Sequence, residues 1–174
     1  GRCTMDILTI LAGFTGGIFG TAFGSIPAFI LTGVFALIGS VLTLSGVTDF
    51  IVGTVAFGPF FGPHVSFAAG AAAAAYAANK AKKLDSAQNV LAALFGINDI
   101  KTLLVGGLYG VLGIVTFTLI TKQSVFVTDY PAFCVCVVLF LNRIIMGKTS
   151  IIGTLKEGEK RDIFPKDEIL LNSV

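Results

Sequence analysis

Of 174 residues, 55% are hydrophobic and only 13% charged, with a mean hydropathy of +0.91. An ordinary soluble domain carries about 25% charged residues. A chain this poor in charge cannot cover a water-facing surface, so lipid is the expected solvent. The net charge of +2 is too small to argue for a nucleic-acid partner.

The chain opens Gly1-Arg2-Cys3-Thr4-Met5, where either Met5 is the native start or the sequence is an internal piece of something longer. No removable signal peptide is expected. A bilayer-spanning helix needs roughly 20 apolar residues, with about 17 as a practical minimum. Ile7 to Phe23 and Ile26 to Leu44 meet this first. Phe50 to Phe61 is apolar but short, and ends in Gly58-Pro59-Phe60-Phe61-Gly62-Pro63. His64 to Ala78 resumes as an alanine-rich helix, followed by the polar string Asn79-Lys80-Ala81-Lys82-Lys83. Val90 to Ile97 is too short to span and is expected at the interface. Leu103 to Ile120 and Tyr130 to Met146 complete the set. Residues 1–148 thus read as a transmembrane helical domain and 149–174 as a hydrophilic tail, carrying Lys156-Glu157-Gly158-Glu159-Lys160-Arg161-Asp162.

The expected fold class is all-α, a polytopic transmembrane helix bundle of about six crossings with one or two broken or short helices. If each apolar run crosses once, every basic residue except Lys122 falls on one side, which the positive-inside rule makes cytoplasmic. Both termini would then be cytoplasmic, in a membrane of the bacterial inner (plasma) type. Gly20-Thr21-Ala22-Phe23-Gly24 is echoed by Gly53-Thr54-Val55-Ala56-Phe57-Gly58, each with a proline close behind. Transporters often arise by duplication, though strings this short also match by chance.

Twenty-one glycines suggest close helix packing. Gly13, Gly16, Gly17, Gly20 and Gly24 crowd the first helix, with Gly16-x-x-x-Gly20-x-x-x-Gly24 on one face, and Gly106-x-x-x-Gly110 repeats the spacing. Small residues four apart let backbones approach closely in lipid. Such faces also suit contact between copies, so a homo-oligomer is expected. Cys134 and Cys136 point apart on a helix, and neither a disulfide nor a metal site is expected.

The two Gly-Pro pairs break any helix, because proline lacks the N–H donor and restricts its predecessor. Backbone freed at membrane depth must be buried in protein or line a cavity. Gly58, Pro59, Gly62, Pro63, His64 and Ser66 are therefore candidate pathway-lining residues, with Tyr109 added from a later helix. The alternative is a plain turn outside the membrane with His64 hydrated. Clear mid-membrane carboxylates are lacking in the apolar runs, which argues against proton-coupled antiport. Hydroxyls such as Thr15, Thr21, Thr32, Ser40, Thr54 and Thr116 suit a small neutral solute or weakly hydrated ion, and equally suit hydrogen bonds between helices. The phenylalanines either fill space opposite the glycine faces or form an apolar constriction.

No nucleophile elbow, phosphate loop or zinc motif appears, so neither an enzyme nor a cofactor is expected. Gly62-Pro63-His64-Val65-Ser66-Phe67-Ala68 resembles the first pore motif of aquaporins over seven residues. It departs where Asn-Pro-Ala would stand, no second copy follows, and no family is assigned from it. The sequence favours a small transporter or channel subunit. A non-transporting scaffold or anchor within a larger complex is the alternative.

Overall fold

A computed structural model describes residues 6–123 and 128–148. The described residues are all-helical. Helix α1 spans Ile7–Phe23, α2 Ser25–Leu44, α3 Ser66–Asn79, α4 Ile100–Gln123 and α5 Tyr130–Met146. A π turn at Ile51–Ala56 precedes α3, and a 3₁₀ turn at Leu94–Ile97 precedes α4. Arg2, Cys3, the Met5 start and the tail from 149 onward lie outside the described residues.

Local chemistry explains the helix starts. The Asp6 carboxylate accepts from the Thr9 N–H at 2.7 Å and caps α1. Asp129 caps α5 through the Ala132 N–H at 3.1 Å, with Pro131 in the first turn, where its missing donor costs nothing. Asp99 caps α4, accepting from the Thr102 hydroxyl at 2.6 Å and its N–H at 3.2 Å. Lys83 Nζ adds an ion pair to Asp99 at 3.1 Å. The Thr102 hydroxyl first, and then Lys83, hold the Asp99 carboxyl below the usual carboxylate range.

Helix directions follow from which glycines face which backbone. Gly13 lies against Gly110 and Ile114, Gly17 against Gly106 and Gly110, and Thr21 against Gly106, so α1 and α4 are antiparallel. Gly16 meets Phe60, while Gly20 meets Ser66 and Gly70, so α3 runs parallel to α1. Along α2, Ser25 meets Gly70, Thr32 reaches Phe61 and Gly39 meets Val52, which makes α2 antiparallel to the stretch 51–79. The Asn79 amide donates to the Met146 carbonyl at 2.9 Å, and Val138 packs on Ala68, Ala69 and Ala72, so α5 runs with α3.

These directions revise the expected topology. A six-pass arrangement requires α1 and α4 to be parallel. Here they are antiparallel, because residues 51–79 travel the bundle once instead of turning back at Gly58–Pro63. The bundle therefore has five passes, and Asp6 and Lys148 lie at opposite ends, not on one side. Among the described residues, one end carries Lys80, Lys82, Lys83, Asp85, Asp99, Lys101, Arg143 and Lys148, and the other Asp6, Asp49, Lys122 and Asp129. The strong division of charge survives the revision. What changes is the position of Asp6 and Asp49, which leave the basic end for the acidic one.

The long segment from Lys80 to Asp99 is tied down at the basic end. Leu94 is buried against Ala73 and Ala74, and the Val90 carbonyl accepts from the Ile26 N–H at 3.1 Å. Phe95 and Leu91 remain mostly exposed.

Candidate functional site

The third pass is a helix interrupted near its middle. The π turn closes with the Phe57 N–H donating to the Val52 carbonyl at 3.1 Å, and π geometry often marks functional sites. The chain then turns twice. The Gly62 N–H donates to the Gly58 carbonyl at 3.0 Å, and the N–H groups of Val65 and Ser66 both donate to the Gly62 carbonyl, at 2.8 and 2.9 Å. Regular α-helix begins at Ser66. Pro59 and Pro63 account for the interruption, since neither can donate to a preceding turn.

This interrupted segment sits at half height. Phe60 lies against Gly16 near the middle of α1, Phe61 against Thr32 of α2, and His64 against Gly113 near the middle of α4. It is not a turn at the end of the bundle. Gly58, Gly62, Pro63, His64, Val65 and Ser66 are all buried, while Pro59 is half-buried. Two hydroxyls latch the freed Phe61 carbonyl, and a third holds the first turn of α3. Thr32 Oγ1 donates to the Phe61 carbonyl at 2.7 Å, Ser66 Oγ to the same carbonyl at 3.0 Å, and Ser25 Oγ to the Phe67 carbonyl at 2.8 Å. A packed group of phenylalanines covers one side, with the Phe60 and Phe61 rings 4.7 Å apart and Phe61 5.0 Å from Phe35. The His64 ring stacks on Phe117 at 4.5 Å and 18°.

Glycine governs the approach. A Cβ on Gly17 would run into the Gly106 carbonyl, on Gly110 into the Gly13 carbonyl, and on Gly113 into the His64 carbonyl. On Gly62 it would stand 2.5 Å from both the Gly58 oxygen and His64 Cε1. The expected single stripe on α1 resolves into two. Gly13 and Gly17 face α4, and Gly16 and Gly20 face the interruption and α3. Gly24 belongs to neither, since it forms the reversal between α1 and α2 at φ +104°, a conformation that favours glycine. Both copies of the internal echo end at such a point: Gly24 reverses the chain, Gly58 interrupts it.

Tyr109 is not brought to the interruption. It lies in the seam between α3, α4 and α5, against Ala68, Ala69, Ala72 and Val138. Among the described residues, four side-chain atoms are buried without a hydrogen-bond partner: His64 Nδ1, Tyr109 Oη, Thr118 Oγ1 and Asn142 Oδ1. Leaving a buried polar atom unpaired costs about 1–3 kcal/mol. Asn142 and Thr118 went unnoticed in the sequence, although a lone amide beside Arg143 in an apolar run is a legible signal. Most of the expected lining hydroxyls instead serve their own helices, as Thr15 does to Leu11, Thr21 to Gly17 and Ser40 to Ala36. At the acidic end an open cleft is lined by Ser40, Thr43, Leu44, Asp49, Val52 and Gly53.

The sequence matches a family model described as a family of unknown function (DUF7973) over residues 2–168. The chain belongs to DUF7973. No curated protein and no solved structure matches this DUF7973 chain. Its interrupted third pass and polar seam are thus read from their own chemistry.

Proposed function

We propose that this DUF7973 chain is an integral membrane protein of five crossings, a small transporter or channel subunit whose solute route involves the interrupted third pass. Two helices, α2 and α4, are long and apolar enough to cross a membrane, and α1 and α5 are shorter but apolar. Helix α2 turns its apolar side chains outward: Leu37 is 72% exposed and Leu44 88%. A soluble core helix would bury them, so lipid is the fitting surroundings. With the basic end cytoplasmic, the described N-terminal end is outside and Lys148 inside.

The observation that carries the transport reading is the interruption at half height. Irregular backbone within a membrane is tolerated where protein buries it or where it lines a cavity, and transporters build substrate sites at such half-helices. Here the Thr32 and Ser66 hydroxyls hold the freed Phe61 carbonyl, and hydroxyl latches can be exchanged for solute contacts at small cost.

The test is flux through purified protein in proteoliposomes, scanned over small neutral solutes and monovalent ions, with Ser66→Cys in a background lacking the native cysteines as a probe of water access. Solute passage above protein-free vesicles and labelling of Ser66→Cys by a membrane-impermeant thiol reagent are expected. No passage of any solute together with an unreactive Ser66→Cys would sink the proposal. That result would favour the second reading, a non-transporting membrane scaffold, which the dense burial of Gly62 to Ser66 supports.

A further inference from the structure

The seam between α3, α4 and α5 differs from every other contact in the bundle. Helix α5 contains no glycine. Of its buried face, Cys134, Val138 and Asn142, Val138 packs on side chains of α3 and α4, and no glycine of α5 brings its backbone against theirs. Where glycine brings backbones together, as between α1 and α4, helices have no room to admit anything. The α5 seam can part by moving side chains.

Two of the unpartnered atoms lie in this seam. Tyr109 is 6% exposed and Asn142 8%, yet Tyr109 Oη and Asn142 Oδ1 have no partner. Val138 packs beside Tyr109, and Asn142 lies one turn further on the same face of α5, roughly 6 Å toward the basic end. Helix side chains lean toward their own N-terminus, which for α4 is also the basic end. The phenol oxygen and the amide are therefore carried to a common level. The facing wall is the methyl surface of Ala68, Ala69 and Ala72.

That chemistry selects its ligand. Phenol and carboxamide each donate and accept, so they complement a solute that does both. The described residues 50–79, 102–121 and 130–142 include no charged side chain, Lys101 and Arg143 flank the seam only at its basic end, and an unpaired buried charge is far costlier than a neutral polar group, so a neutral solute fits the seam better than an ion. We infer that the α3–α4–α5 seam is a binding site for a small uncharged solute bearing both hydrogen-bond donors and acceptors, of the size of urea or glycerol, held by Tyr109 and Asn142. The inference rests on the transport reading above and names its substrate class.

The experiment measures urea and glycerol permeation by stopped-flow light scattering in proteoliposomes, for the wild type, Tyr109→Phe and Asn142→Leu. Thermal stability of each protein in detergent is measured alongside. The wild type should pass at least one of the two solutes faster than protein-free vesicles do. Each variant should slow it by about fivefold, the loss of one neutral hydrogen bond, while melting no lower than the wild type, because the deleted atom was unpaired. A structural role would instead lower the melting temperature and leave permeation per folded protein unchanged. Tyr109→Phe keeps the ring and its packing, so it decides the matter if Asn142→Leu does not fold. Wild-type flux with variants equally fast overturns the seam site and leaves the transport reading standing. Passage of sodium or chloride with neither neutral solute overturns the substrate class. A wild type that passes none of these solutes overturns the seam site, and overturns the transport reading too when Ser66→Cys is also unreactive.

Discussion

The contact between α1 and α4 and the seam along α5 solve one problem in opposite ways. In the proposed membrane setting lipid would provide little hydrophobic drive between helices, so both would have to hold by close packing. Between α1 and α4 the solution is backbone on backbone, with Gly13, Gly17, Gly106 and Gly110 in mutual contact. Along α5 it is side chain on side chain, with Val138 and Cys134 fully buried and two polar atoms left unpaired. The first arrangement tolerates no added atom. The second tolerates rearrangement, and the unpaired atoms are stored where rearrangement is possible.

Substitution can break this contrast. The largest effect is expected at the glycine contact: Gly17→Leu places a side chain against the Gly106 carbonyl and should cost more than about 3 kcal/mol, seen as loss of a folded, monodisperse peak in detergent. Gly33→Ala is its control, since nothing lies within 4 Å of a Cβ there, and it should leave the peak intact. If Gly17→Leu folds as well as Gly33→Ala, the two regions do not differ as described. An intermediate effect is expected in the other seam. Val138→Ala removes two methyl groups from a fully buried site and should cost about 1–2 kcal/mol in a denaturation midpoint while keeping the fold.

The smallest effect belongs to the basic end, where both regions are closed off. Asp99 has a carboxyl pKa below its ordinary value, chiefly through the Thr102 hydroxyl. Its contribution is therefore present above the ordinary carboxylate range and is lost as pH falls through the lowered value. Asp99→Asn should melt slightly below the wild type at neutral pH, and the gap should close on acidification. A gap that widens in acid would show that the carboxylate does not act as the cap of α4.

How far the sequence spoke depended on what each residue could signal alone. The ends of α1 and α5 were legible to the residue, because Asp6 and Asp129 are unambiguous caps beside uniform apolar runs. The interruption at Gly58–Pro63 was legible as a break but not as a direction. Proline and glycine end a helix equally well whether the chain then reverses or continues, and only the contacts of Phe60 with Gly16 and His64 with Gly113 decide it. One misread direction altered the number of passes and the place of the N-terminal end. Tyr109 was named as a candidate liner without its neighbours, Ala68, Ala69, Ala72 and Val138, since a helix position says nothing about its tertiary partner. Asn142 is a single amide in the apolar run of α5, and its burial depends on which face of the helix meets α3 and α4. Gly107 and Gly113 escaped, and the second stripe of Gly13 and Gly17 was not separated from the first, because a four-residue rule finds one stripe, whereas α1 and α4 each use glycine on more than one side.

The hydrogen bond from Ile26 to Val90 reaches across more than sixty residues to finish a reversal made of one glycine. During synthesis, α1 and α2 are complete before residue 90 leaves the ribosome, so until then the Ile26 N–H at their corner is left to water. The protein partner of the first corner is thus supplied by the segment leading into α4, and an earlier and a later part of the chain meet in one hydrogen bond.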